Sequence, residues 1–440
     1  MIKVAKFGGS SVANAEQFKK VKSIVNAEKD RKFIVTSACG KENKDDYKIT
    51  DLLYIAHTHV KYKVSVDDIF SLIEKKYYSI KDALGLKIDL DKEFKKIKDD
   101  ISEDNDTDYL VSRGEYLTAL MLAEYLGAEF VDAKDIFKFN YDNTINMEKT
   151  NEAFKNIKVS DNKIVFPGFY GSMPDGKIRV MSRGGSDITG AIIANLLDAD
   201  LYENWTDVSG ILVCDPKIVN DPHRIKTITY NELREMSYMG ANVLHDEAVF
   251  PVKQKDIPIN IKNTNAPENP GTMIMLSCEE EDKKNPPYPI TGITGKKGFI
   301  VITCIKSHIS SEVGFLRQVL SVFEKYNISI ESCPSSIDSV SIVVEYNKVK
   351  KYLYEIIAEL KDELKCDDVH LYEDISLIAV VGRAMANKKG ISGQIFAELG
   401  ANDINIKIIS QGSDEICIIV GVDSKDFENA IRCIYNKFID

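Results

Sequence analysis

Two lysines and two glycines open the chain in an order that suits an anion. An apolar run, 2–7, carries Lys3 and Lys6 and ends in Gly8-Gly9-Ser10-Ser11, ahead of a helical pattern of Val12, Phe18, Val21, Ile24 and Val25. Glycines lack Cβ atoms, so their backbone N–H groups can approach phosphate oxygens. A helix start adds partial positive charge, and Lys6 adds a mobile ammonium. The bland alternative, a tight strand-to-helix connection, has the same spelling. Three more clusters bear on the choice. Ser112-Arg113-Gly114-Glu115 opens the apolar stretch 116–126; Glu115 there either satisfies a helix dipole at the surface or receives a ligand ammonium. Arg183-Gly184-Gly185-Ser186-Asp187-Ile188-Thr189-Gly190 is a second glycine-rich helix start. Its arginine can grip a carboxylate bidentately and its aspartate can orient a lysine. Asn204-Trp205-Thr206-Asp207, followed by Asp215-Pro216-Lys217, offers a hydroxyl and a carboxylate for a nucleotide or its metal and a cation for phosphates. It could equally be an Asx turn with a proline stop. Two glycine turns in one domain suit two anions meeting head to head.

Two familiar signatures are absent. Gly171-Ser172-Met173-Pro174-Asp175-Gly176-Lys177-Ile178 has nearly the P-loop spacing but ends in Ile where a hydroxyl should meet magnesium. Its Pro-Asp-Gly predicts a hairpin turn. There is no GxGxxG dinucleotide fingerprint. At 440 residues, 44% hydrophobic and 28% charged, the chain can bury more than one core. A net charge of -11 and a pI near 5.3 speak against nucleic acid or an anionic membrane as the partner. An anionic ligand must then be held by local cations and backbone donors. The eight cysteines lack metal-ligand spacing and suit a reducing cytoplasm. No run approaches the roughly 20 apolar residues of a membrane span.

The elements that must position these groups follow from periodicity. Apolar β-rich runs (33–37, 164–169, 211–214, 257–262) alternate with helical patterns, which predicts an α/β fold with a mostly parallel sheet covered by helices. Segment 61–101 reads as a helical insertion, a packing or lid element. Charge followed by proline at 278–289 reads as a linker. Beyond it the chain repeats with a shift of 76 positions: Gly314, Val319, Phe323, Asn327-Ile328-Ser329-Ile330 align with Gly390, Ile395, Leu399, Asp403-Ile404-Asn405-Ile406. Two small α/β modules follow.

Taken in order, the clusters resemble those of the aspartate kinases in the amino-acid kinase family, over nearly the whole chain. Lys6 to Ser11, Ser37-Ala38 with Thr50-Asp51-Leu52-Leu53, Ser112 to Glu115, Arg183 to Asp187 and Trp205-Thr206-Asp207 carry the likeness. The resemblance implies transfer of the ATP γ-phosphoryl group to the β-carboxylate of L-aspartate, at the entry to lysine, threonine and methionine synthesis. It implies that Lys6 stabilises the phosphoryl group and that Asp187 orients Lys6. Gly8, Gly9, Ser10, Ser37, Thr206, Asp207 and Lys217 would hold ATP, and magnesium would arrive with ATP. Arg183 would take the aspartate carboxylate and Glu115 its ammonium, with Thr50 and Ser186 completing the pocket. Leu212 stands where many members carry Tyr, Lys217 where many carry Arg, and Asn242 where many carry Lys. Another amino-acid or carbamate kinase and an inactive amino-acid sensor are the alternatives.

The repeat resembles the tandem ferredoxin-like ACT domains of this family. The expected division is a catalytic domain at 1–277, a linker at 278–289 and ACT domains at 290–370 and 371–440. The resemblance implies an amino-acid effector, read as L-lysine, at Val313, Gly314, Phe315, Leu316, Ser329, Ile330, Glu331, Ser335, Ser336 and Asp338. It also implies a cytoplasmic homodimer paired through these domains, with tetramers left open.

Overall fold

A computed structural model describes residues 1–101, 107–157, 162–182, 184–241, 244, 246–277 and 288–439. Two compact units make up the chain: Met1–Ile211, Arg224–Tyr230 and Asn242–Cys278 in one, Leu212–His223, Asn231–Ala241 and Glu279–Asp440 in the other.

In the first unit the strands are β1 (Lys3–Phe7), β2 (Arg31–Thr36), β3 (Glu129–Phe130), β4 (Ile164–Pro167), β5 (Tyr170–Ser172), β6 (Ile178–Val180), β7 (Leu201–Thr206), β8 (Thr227–Thr229), β9 (Ile259–Asn263) and β10 (Thr272–Met275). Eight form one sheet in the order β3-β4-β2-β1-β7-β9-β10-β8. Every pairing is parallel except β9 with β10. Strands such as β1 and β2 are apolar at successive positions because helices cover both faces of a parallel sheet. The helices are α1 (Ala15–Ala27), α2 (Ile49–Lys61), α3 (Asp67–Leu84), α4 (Leu90–Asp99), α5 (Thr107–Leu126), α6 (Ala133–Ile136), α7 (Met147–Lys155), α8 (Gly185–Leu196), α9 (Tyr230–Tyr238, the last eight residues in the second unit) and α10 (Asp246–Lys253). The near-P-loop is the hairpin its Pro-Asp-Gly predicts, with Tyr170 opposite Val180 and Ser172 opposite Ile178.

The inserted helices α3 and α4 belong to the main core. Ile69, Phe70, Ile73, Tyr77, Phe94 and Ile97 pack in one cluster with Phe7, Phe18, Leu52 and Trp205. Two local expectations shift. The glycine turn leads first into a single 3-10 turn, Gly9–Val12, and α1 begins at Ala15 because Asn14 caps it by accepting from Gln17 N. And α5 begins at Thr107, so Glu115 lies inside the helix, beyond the reach of its N-terminal dipole.

The second unit is built on an antiparallel five-stranded sheet, β12-β11-β13-β15-β14. Its strands are β11 (Gly292–Ile305), β12 (Ser339–Glu345), β13 (Asp368–Val381), β14 (Ile406–Gln411) and β15 (Cys417–Asp423). The repeat shows in the backbone: Gly314 and Gly390, at φ 87° and 90°, start the helices Phe315–Lys325 and Ile391–Ala401, and Asn327 and Asp403 follow at φ 55° and 57°. The modules interleave. Residues 292–296 of β11 pair with 377–381 of β13, while 299–305 pair with β12 and with 368–375, across an irregularity at 296–299. The first stretch of β11 thus lies in register with strands of the second module. Segment 231–241 joins this unit through Glu232, fully buried, which accepts from Thr291 Oγ1 at 2.6 Å and Arg383 Nη1 at 3.0 Å. Among the described residues no helix is long and apolar enough to cross a membrane.

Candidate active site

β1 ends beside β2 and β7, with Phe7 in register with Thr36 and with Trp205. Since the sheet order departs from β1 in both directions, its carboxyl end is where a parallel sheet leaves a crevice. Gly8 N–H donates to Trp205 O at 2.9 Å and Ser11 N–H to Gly8 O at 2.9 Å, curling the turn across that edge. The turn needs its glycines because another backbone lies against it: a Cβ on Gly9 would sit 3.0 Å from Ala38 O, and one on Gly40 2.5 Å from Gly9 C. Ser11, by contrast, is internal; its hydroxyl lies 2.7 Å from that of Thr264.

Lys6 points to the same edge with a side chain 9% exposed, its Nζ 2.5 Å from Asp187 Oδ1. Asp187 sits in the first turn of α8, which the left-handed Gly184 starts at φ 80°. Asn204 on β7, named in the sequence reading but given no role there, donates to the same Oδ1 at 2.9 Å. The strand alternation could have found it: Tyr202, Asn204 and Thr206 share a face, while Glu203 and Trp205 turn to the other, where Glu203 pairs with Arg31 at 2.6 Å.

A cavity of about 420 Å³ brings together Gly9, Ser10, Ser37, Thr50, Glu115 and Asp207, and adds Lys41 and Lys48. No pattern around those two exposed lysines marks them in the sequence. Glu115 is 5% exposed and its Oε2 has no hydrogen-bond partner. Burial pushes its carboxyl up to about 8, against the opposing pull of a backbone hydrogen bond from Ala38. The site therefore brings a glycine turn and two lysines together with a carboxylate that has an unpartnered oxygen.

The remaining sequence-derived residues fall as follows. Ser186 is buried at the start of α8 against Gly168, where a Cβ would lie 2.7 Å from the serine's own. Thr206 Oγ1 donates to Asp207 Oδ1 at 3.1 Å. Leu212 and Lys217 belong to the second unit, with Lys217 exposed. Arg183 and Asn242 lie outside the described residues. In the first module, Val313 and Leu316 are exposed, whereas Phe315 is 1% exposed with Lys306 Nζ 4.7 Å from its ring centroid, so that ring is core. Ser329 is exposed, Ile330 half-buried, and Glu331 accepts from Tyr238 Oη at 2.6 Å. After Asn327 the chain makes isolated bridges, Ser332 with Val343 and Ser335 with Val340. Ser336 N–H closes a turn on Ser339 O, and Asp338 Oδ1 accepts from His308 N at 2.9 Å.

Comparison with known proteins names this arrangement. The amino acid kinase family matches residues 1–263, and an ACT domain matches residues 378–438. Aspartokinase 3 of Bacillus subtilis is 34% identical over 455 residues, spanning 99% of this chain and 98% of its own. The chain belongs to the aspartokinase family. The crystal structure of aspartate kinase from Clostridium acetobutylicum superposes with a TM-score of 0.91 at 48% identity, covering 99% of both chains. Escherichia coli aspartokinase III, solved with aspartate and ADP and also with lysine and aspartate, shares the fold at TM-scores of 0.77 and 0.75, 24% identity and full coverage of both chains. An aspartokinase-family kinase domain followed by two ACT modules is thus the architecture of this chain.

Proposed function

We propose that this chain transfers the γ-phosphoryl group of ATP to the β-carboxylate of L-aspartate. The observation that carries the reading is Glu115: a buried carboxylate with an unpartnered oxygen, in one cavity with the glycine turn. A buried carboxylate of this kind is satisfied by an ammonium, and aspartate brings one. Gly8, Gly9 and Ser10 cradle phosphates; Lys6, held by Asp187, which Asn204 in turn anchors, neutralises charge on the moving group. Such positioning and neutralisation supply most of the catalysis in phosphoryl transfer. The acceptor is already ionised, so no strong base is required. Among the described residues no three carboxylate, His or Cys side chains converge as a metal cage. The exposed Asp207 carboxylate in the cavity fits a magnesium ion that arrives with ATP; Asp207 would help hold it, and the ion would supply neutralisation of phosphate charge. Arg183 remains our choice for the aspartate α-carboxylate, Thr50 and Ser186 for the pocket wall, and Thr206 with Lys217 for the nucleotide.

The test is coupled measurement of ADP release with magnesium and ATP, with and without aspartate, and with glutamate and carbamate as rival acceptors. Release that depends on aspartate alone supports the reading. Release with a rival acceptor only, or none at millimolar ATP, refutes it.

We further propose feedback inhibition by L-lysine through the first ACT module, in a cytoplasmic homodimer joined by these modules. The E. coli relative that was solved with lysine supports the effector class. Glu331 and Asp338 are the carboxylates proposed to meet it. Saturating lysine that leaves initial velocity unchanged at low aspartate would sink this proposal.

A further inference from the structure

A further cation, from the inserted helix α3, meets the loop that follows β2. Lys76 Nζ donates to Gly40 O and to Asp46 Oδ2, both at 2.5 Å, with the side chain 13% exposed. Its neighbour Tyr77, fully buried, donates to Gly114 O at 2.8 Å and lies 3.1 Å from Thr118 Oγ1, which accepts from Cys39 N–H at 3.2 Å. Lys76 thus holds the Gly40 carbonyl directly, and Tyr77 reaches the Cys39 N–H through Thr118. Gly40 passes the restraint to the glycine turn, since its N–H donates to Gly9 O at 2.9 Å. Asp46 secures the far end of the same loop, accepting from Glu42 N and Tyr47 N, each at 2.8 Å.

Loop 40–48 has open space on both faces. On one side it lends Gly40, Lys41 and Lys48 to the 420 Å³ cavity. On the other it lends Glu42, Asp45, Asp46 and Tyr47 to a second cavity of about 480 Å³, walled by α1, α2 and α3. A loop with little packing behind it takes its position from its hydrogen bonds, and charge-assisted ones are the strongest of these.

We propose that Lys76 is a positioning residue for phosphoryl transfer. It fixes loop 40–48 so that Gly40 shapes the glycine turn and Lys41 and Lys48 face the phosphates of ATP. The inference rests on reading the 420 Å³ cavity as the kinase site. Lys76 itself touches no substrate, so its loss should act on nucleotide affinity before aspartate affinity.

The test uses the full chain with Lys76→Met, Lys76→Arg and Asp46→Asn, read by steady-state kinetics and by amide hydrogen exchange. For Lys76→Met, KM for ATP should rise about tenfold or more while KM for aspartate changes less than about threefold. Lys76→Arg, which keeps the charge, should recover most of that loss. Asp46→Asn, on the loop and outside the α3 packing, should move KM for ATP in the same direction, about three- to fivefold, so a poorly folded Lys76→Met leaves the question decidable. Amides of 37–48 should exchange about tenfold faster in both charge-removing variants, with those of 67–75 unchanged. Unchanged exchange in 37–48 overturns the proposal, as does faster exchange with KM for ATP within twofold of the parent. Absence of aspartate-dependent turnover in the parent chain would instead overturn the kinase reading, while exchange still reports whether Lys76 ties the loop.

Discussion

If Glu115 receives the ammonium of aspartate, binding must expel a proton near neutral pH. With its carboxyl raised to about 8 by burial, the side chain is about 0.9 protonated at pH 7 and about 0.1 at pH 9. An ammonium against the unpartnered Oε2 favours the charged form, so aspartate binding should release about 0.9 proton at pH 7 and about 0.1 at pH 9. Titration calorimetry in phosphate and in Tris reads this directly, as the slope of apparent enthalpy against buffer ionisation enthalpy. Below pH 8 each unit costs about 1.4 kcal/mol, or about tenfold in aspartate affinity. Glu115→Gln should abolish the slope. A buffer-independent heat at pH 7, in parent protein that binds aspartate, would refute the assignment. The same carboxyl affects stability without ligand. Its folded pKa stands above the ordinary 4.5, so the folded state holds the extra proton and this contribution fades as pH rises from about 4.5 to about 8. Glu115→Gln should flatten the thermal midpoint across that window.

Other outcomes follow from the contacts of the site and of the second unit. Lys6→Ala should lower turnover about a hundredfold or more, with calorimetric aspartate affinity nearly kept, because its charge is spent on the moving phosphoryl group; near-normal turnover would remove Lys6 from that role. Gly40→Ala should damage activity and thermal midpoint more than Gly9→Ala, by about 1–3 kcal/mol in stability, since its Cβ would meet Gly9 C at 2.5 Å against 3.0 Å for the nearest atom to the other. Glu232→Ala should destabilise the second unit by about 3 kcal/mol, because it removes a fully buried carboxylate from Arg383 and Thr291. Denaturant unfolding followed in the ACT region checks this; an unchanged midpoint would count against the ion pair as a structural tie.

Features set by neighbours in sequence were legible in advance. The hairpin at 170–180, the glycine turns that start helices at Gly184, Gly314 and Gly390, and the apolar strands of the parallel sheet all follow from local spelling, because φ preference and alternation act over a few residues. Helix starts were less legible. A cap at Asn14 outranked the earlier apolar Val12, and α5 extends back to Thr107, which turned Glu115 from a terminal residue into a buried one. In the second unit, the linear reading missed that 292–296 pairs with 377–381, since strand register depends on partners more than eighty residues away.

Sequence alone, then, determined the chemistry available to this chain: a glycine turn after a lysine-bearing strand, a second glycine turn with an aspartate, a glutamate opening an apolar stretch, and a tandem repeat. Only the tertiary structure decided which of these groups meet. Lys6 and Asp187 are brought to 2.5 Å by the pairing of β1 with β7 and the start of α8. Glu115 acquires its raised pKa from burial, which belongs to no residue by itself. Lys76, unremarkable among the lysines of an inserted helix, becomes a tie on loop 40–48 because α3 packs into the main core. Distances and dielectric surroundings are properties of the packed fold, and composition and spacing do not carry them.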